Sequence, residues 1–133
     1  MNNWQSCCEL LDLYGVDRRT YGGAYFAQLL TRGLALREVS DYTVRDYAAG
    51  VRKEIALSPL VYASIMKRAC WAFYEASDAE LKEMGLRPFS SVYDLAEAIL
   101  DATPEKPDAL DIAAAQGCAE LLRKYGIRPS RAR

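Results

Sequence analysis

The sequence predicts an all-α fold, a compact multi-helix bundle with an extra helix at its C-terminal end. Three observations carry that prediction. Apolar residues recur at three- and four-residue spacing along most of the chain, while strand-type alternation of β-branched residues is almost absent. Local start and stop signals bracket the apolar stripes, with asparagine, aspartate or serine before them and glycine after several. The connections between stripes are short, as in helical bundles. A length of 133 residues fits one domain, and a chain of that size buries about two-thirds of its unfolded surface without a staple.

The elements follow in order. Asn3 is placed to cap a first helix that carries Trp4, Cys7, Cys8, Leu10, Leu11 and Tyr14 inward and stops at Gly15. "VDRRTYGG" reads as a connector. A second helix runs through "AYFAQLLTRGLALRE" with Tyr25, Phe26, Leu29, Leu30 and Leu34 inward, and Gly33 inside it marks a close helix contact. Asp41 is expected to cap "YTVRDYAAGVRKEI", whose stripe is Val44, Tyr47, Ala48, Val51 and Ile55. After a short Ala56-Leu57 turn, Ser58 caps a fourth helix, "PLVYASIMKRACWAFYE", with Pro59 in its first turn.

"SDAE" from Ser77 has the spacing of a capping box and opens a short helix that Gly85 ends. Ser90 or Ser91 starts a sixth helix with Val92, Leu95, Ala96 and Ile99 inward. "TPEKPD" holds two prolines in six residues and reads as the linker. A seventh helix, "ALDIAAAQGCAELLRKYG", stops at Gly126. The expected organisation is therefore a helical domain over 1–102, a linker over 103–108, an additional helix over 109–126 and a basic tail over 127–133.

Composition narrows the function. Hydrophobic residues make up 51% and charged residues 26%, which is ordinary for a globular domain. No stretch is long and apolar enough to span a bilayer, and "MNNWQSCCELLDLYG" lacks the basic region and cleavage site of a signal peptide. A soluble, cytoplasmic protein with no membrane partner is expected. The chain has no histidine, and its four cysteines lack CxxC spacing, so a Cys/His zinc site is excluded. The missing histidine also removes the usual general base and the Ser-His and Cys-His nucleophile pairs. With no glycine-rich phosphate loop and no metal-ligand spacing, neither an enzyme nor a cofactor is expected.

Charge is unevenly spread. The last eleven residues, "RKYGIRPSRAR", hold five basic groups and no acid, while the rest carries 12 basic against 18 acidic residues, a formal charge of −6. A DNA-binding domain is usually basic on one face, so this one would bind against an acidic body.

The fourth helix has the outline of a helix-turn-helix recognition helix, set off from its predecessor by a short turn. At 100° per residue, Tyr62, Met66, Ala69 and Phe73 share one centre, flanked by Ile65 and Cys70. Leu60, Ser64, Lys67, Trp71 and Glu75 fall on the opposite face. Trp71 is there either to be covered by another helix or to anchor a partner, since tryptophan is favoured at protein interfaces. One internal similarity also stands out. "CCELLDLYGV" at 7–16 recurs as "CAELLRKYGI" at 118–127, a constant offset of 111. It reads either as two helices sharing a common type of ending or as a last helix that copies the first, competing for its groove as in a swapped dimer or beginning a second repeat.

In order and spacing, residues 7–101 resemble the C-terminal effector domain of the stage zero sporulation protein A family, regulators that switch on sporulation genes. The resemblance runs from "ELLDLYGV" and "YGGAYF" through "AGVRKEIALS" to "GLRPFSSVYDLAEAIL", with Arg87-Pro88 in the family's Lys-Pro position. The family's receiver domain has no counterpart in this chain. Its recognition helix begins Ser-Arg-Val-Glu-Arg-Ala-Ile-Arg-His-Ala, and those positions fall on Leu60 through Ala69. Apolar positions carry over, as does basic character at Lys67 and Arg68. The early Arg, the Glu and the second Arg are replaced by Val61, Ala63 and Ser64, which removes the side-chain types that make bidentate or acceptor contacts to base edges.

The resemblance implies a non-catalytic transcription-regulator module with a diverged DNA-binding face. Ser64, Lys67, Arg68, Arg45, Arg52, Lys53 and Arg87 are then the DNA-binding candidates, most of them as phosphate contacts that position without reading sequence. The alternative is a protein-interaction or dimerisation module that keeps the scaffold and uses Leu60 and Trp71, or the terminal helix in a homodimer.

Overall fold

The computed structural model describes residues 3–102 and 106–131. They form eight α-helices and no strand: α1 (Asn3–Leu13), α2 (Tyr21–Val39), α3 (Val44–Ile55), α4 (Pro59–Ala69), α5 (Trp71–Glu75), α6 (Asp78–Glu83), α7 (Val92–Ala102) and α8 (Ala109–Lys124). The expected roles of the Asn3 and Trp4 side chains, the first half of the linker and the last two tail residues lie outside the described residues.

α2 is the spine. At 19 residues it is the longest helix, and it packs against α3, α4, α7 and α8. Its first half gives Phe26, Ala27, Leu29 and Leu30 to a large core, which also holds Leu11, Val44, Tyr62, Met66, Phe73, Leu95 and Ile99. Its second half gives Ala35 and Leu36 to a smaller core completed by Tyr42 and by Ala115, Ala119 and Leu122 of α8. Between the two, Gly33 is the expected close contact. A Cβ there would sit 2.2 Å from Val44 Cγ1 and 3.0 Å from Leu100 Cδ1.

Four details differ from the sequence reading. α2 starts at Tyr21, because Thr20 accepts a hydrogen bond from the Gly23 amide and draws both glycines of the expected connector into its first turn. The cap of α3 is Thr43 and not Asp41: Thr43 and Asp46 bond each other's backbone amides as a capping box. Ile55, expected inward, is 37% exposed at the end of α3. The long fourth helix is broken at Cys70, whose amide meets the carbonyls of both Met66 and Lys67, tightening the last turn before α5 begins.

The basic tail is docked along its described length. Tyr42 donates to the Ile127 carbonyl at 2.8 Å, and the Arg131 amide donates to the Asp41 carbonyl at 3.1 Å. The buried Asp46 carboxylate, already bonded to the Thr43 amide, accepts from the Ser130 amide at 2.8 Å and from the Ser130 hydroxyl. One carboxylate therefore ends a helix and holds the tail, which is how a buried charge stays satisfied.

Candidate nucleic-acid interface on the outer face of α4

α3 and α4 are joined by Ala56, Leu57 and Ser58. Ala56 takes a left-handed backbone (φ 55°), the Leu57 amide returns to the Arg52 carbonyl, and Ser58 accepts from the Val61 amide at 3.2 Å. That turn fixes where α4 starts. Its apolar stripe fixes which side faces in: Tyr62, Met66, Cys70 and Phe73 are at most 1% exposed. Gly22 of α2 allows the approach, since a Cβ there would meet the Ile65 carbonyl oxygen at 2.3 Å.

The inward groups are chemically quiet. Burial pushes the Cys70 thiol up to about 12, so it stays protonated and unreactive near neutral pH. Burial also raises the Tyr62 hydroxyl well above the tyrosine range, with Tyr47, Tyr93 and Tyr25 adding to the effect.

The outward groups are available. Leu60 is 76% exposed, Val61 44% and Trp71 52%, and Ser64, Lys67 and Arg68 are exposed with them. Between α4 and the start of α2 lies an open groove of about 670 Å³, lined by Leu60, Val61, Ser64, Ile65 and Arg68 on one side and by Tyr21 on the other. Tyr21, read from the sequence as connector, is 80% exposed there. No sequence signal marks it, because its exposure depends on how α2 meets α4. Asp17 also lines the groove, and Arg19 pairs with it at 3.0 Å and holds its carboxyl below the usual range.

The structure brings Leu60, Ser64 and Arg68 to this one groove. Lys67 stands beside it, its ammonium 4.9 Å above the Tyr74 ring. Trp71 stacks on Tyr74 and donates to Glu75; it lies exposed rather than under α8, which packs on α2 and α3. The remaining candidates are dispersed. Arg45 lies over Tyr93 with its guanidinium 3.5 Å from Ser91 Oγ. Arg52 reaches the Leu57 carbonyl, and Lys53 lies 5.8 Å from the Tyr125 ring. Arg87 pairs with Asp101, which Arg37 also contacts at 2.8 Å.

Among the described residues, no group of three His, Cys, Asp or Glu side chains is placed to hold a metal ion. None of the helices among the described residues is long and apolar enough to cross a membrane. No family model, curated protein or solved structure matches the chain.

Proposed function

We propose that the chain is a non-catalytic, regulator-type helix-turn-helix module that docks on duplex DNA through the outer face of α4. One observation carries the proposal. An 11-residue helix, entered by a short capped turn and buried along one stripe, has its first turns and its Lys67-Arg68 pair open to solvent. A helix of that width fits the major groove, and in helix-turn-helix proteins the N-terminal residues of the second helix contact base edges. The resemblance to the sporulation effector domain supports the same reading. Lys67 and Arg68 then act as phosphate contacts, with Arg45, Arg52 and Lys53 on the preceding helix as further ones and the acidic body working against them.

The test is fluorescence anisotropy with a random 20-base-pair duplex at low and raised salt. Binding that weakens steeply with salt is expected, with Lys67→Ala and Arg68→Ala each lowering the salt slope by about 1. No binding in the micromolar range overturns the proposal.

A second reading is favoured by the exposed Leu60, Val61 and Trp71, and by Leu110, which is 82% exposed on α8. In that reading the module contacts a protein, or a second copy through α8. Sedimentation at high concentration tests the homodimer: a monomer throughout, unchanged by Trp71→Glu or Leu110→Glu, excludes it.

A further inference from the structure

We infer that Leu60 and Val61 read the 5-methyl group of thymine, so that the preferred duplex carries thymine beneath the first turn of α4. The inference rests on the docking proposed above and adds its specificity. The positions of a second helix that reach base edges are its N-terminal ones. On α4 the exposed side chains there are Pro59, which opens the turn, and Leu60, Val61 and Ser64. Neither Leu60 nor Val61 has a donor or acceptor, and the Ser64 hydroxyl pairs with any base. In the major groove the one apolar feature that distinguishes a base pair is the thymine methyl. Apolar side chains at reading positions therefore discriminate there or nowhere.

The surroundings fit a nucleic-acid occupant. The groove beside Leu60 and Val61 is open, with Arg68 on its lining. The acid on that lining, Asp17, is neutralised by Arg19 at 3.0 Å. An apolar strip with the Arg68 cation beside it matches a methyl-bearing groove edged by phosphates. Leu60 and Val61 are also preorganised, because the Ser58 cap fixes the Val61 amide and hence the first turn.

The experiment compares alternating adenine–thymine duplexes of 20 base pairs with the same duplexes built with deoxyuridine, which lacks only the methyl. The full chain should bind the thymine duplex about fourfold more tightly for each methyl covered, the effect of burying one methyl-sized group. An alternating guanine–cytosine duplex should likewise gain affinity when its cytosines carry a 5-methyl group. The double variant Leu60→Ser/Val61→Ser, altered at two exposed positions, should keep its melting temperature and the slope of its salt dependence, while its affinity for the thymine duplex falls to that for the deoxyuridine duplex and both preferences are lost. Equal affinity for thymine and deoxyuridine duplexes overturns the inference and leaves the docking proposal standing. No binding to any duplex overturns both. A methyl preference that survives the double variant places the reading elsewhere and overturns the assignment to these two residues.

Discussion

Residues 7–16 and 118–127 end in the same way and sit in different places. In both, the Gly residue is left-handed, at φ 67° for Gly15 and 74° for Gly126. In both, the following amide reaches back five residues, from Val16 to the Leu11 carbonyl at 2.9 Å and from Ile127 to the Leu122 carbonyl at 3.0 Å. This is the Schellman ending, with an apolar pair across the stop. It recurs at Leu81–Leu86 with Gly85, and in outline at Arg52–Leu57 with Ala56. The ending that the two segments share is thus found at four places among the described residues. Their seats differ: Leu11 enters the large core with α2, α4 and α7, and Tyr14 stacks on Phe73 at 4.4 Å. Leu122 enters the small core under α8, and Tyr125 turns outward to Glu54. A local ending is written in six residues, while its seat depends on what the rest of the chain presents.

The largest effects should separate the two seats. Leu11 and Leu122 occupy equivalent positions and are both at most 2% exposed. A buried Leu→Ala substitution costs about 2–5 kcal/mol. Leu11→Ala should fall near the top of that range and lower the melting temperature of the whole domain. Leu122→Ala should fall near the bottom, with hydrogen exchange rising in α8 while amides of α4 and α7 stay protected. If both variants open α4 and α8 together, the two cores form one cooperative unit and the distinction fails.

Two glycines probe the same contrast from the opposite direction. A Cβ at Gly22 would meet the Ile65 carbonyl oxygen at 2.3 Å and Ala69 Cβ at 3.1 Å, so a backbone has to move. A Cβ at Gly50 would meet Leu122 Cδ2 at 2.3 Å, the end of a side chain that can turn. Gly22→Ala should therefore cost about 1–3 kcal/mol through overpacking and shift α4 on α2. Gly50→Ala should cost less than about 1 kcal/mol, because helix propensity offsets part of the strain. Thermal melts of both variants check the order. Placed in the Leu122→Ala background, Gly50→Ala should stabilise, since the clash is gone.

These contrasts also explain what the sequence could and could not disclose. Helix positions were legible because periodicity and glycine stops act within a few residues: Val92, Leu95, Ala96 and Ile99 are buried as the stripe requires. The outward set along α4 and α5 was legible for the same reason, since Leu60, Ser64, Lys67, Trp71 and Glu75 are all exposed. The break at Cys70 was not, because no glycine or proline marks it and the tightened turn satisfies the same amide. Thr43 is less conspicuous as a cap than Asp41, because the usual capping box has Glu or Gln at its third position and here Asp46 serves. The groove beside Tyr21 and the docking of Ser130 on Asp46 join segments far apart in sequence, and periodicity carries no information at that range.

The tail anchor is the next smaller effect. Asp46→Ala removes the acceptor for the Thr43 amide, the Ser130 amide and the Ser130 hydroxyl. About 1–2 kcal/mol should be lost, the usual range for a helix cap. Ser130→Ala removes the hydroxyl alone and should cost less than about 1 kcal/mol. Limited proteolysis gives the second readout: the Asp46 variant should be cut near Ser130 faster than the Ser130 variant. Equal rates would mean that the carboxylate serves α3 and leaves the tail to Tyr42 and Asp41.

The smallest effect has opposite signs at the endings themselves. Gly15 and Gly126 are left-handed with nothing within 4 Å of a Cβ built on either, so Ala substitution tests backbone conformation without a packing term. A non-glycine residue in that region costs about 1–2 kcal/mol, partly offset because Ala loses less entropy than Gly on folding. Gly15→Ala and Gly126→Ala should each lose about 0.5–1 kcal/mol. Ala56 holds the same conformation at φ 55° with a side chain already present. Ala56→Gly should gain a few tenths to about 1 kcal/mol by the same reasoning. Its place in the α3–α4 turn makes the sign informative. If the turn is only an ending like the other three, Ala56→Gly raises the melting temperature and leaves the proposed binding to duplex DNA unchanged. A loss of affinity alongside the gain in stability would mean that the stiffer alanine holds α4 in its docking pose.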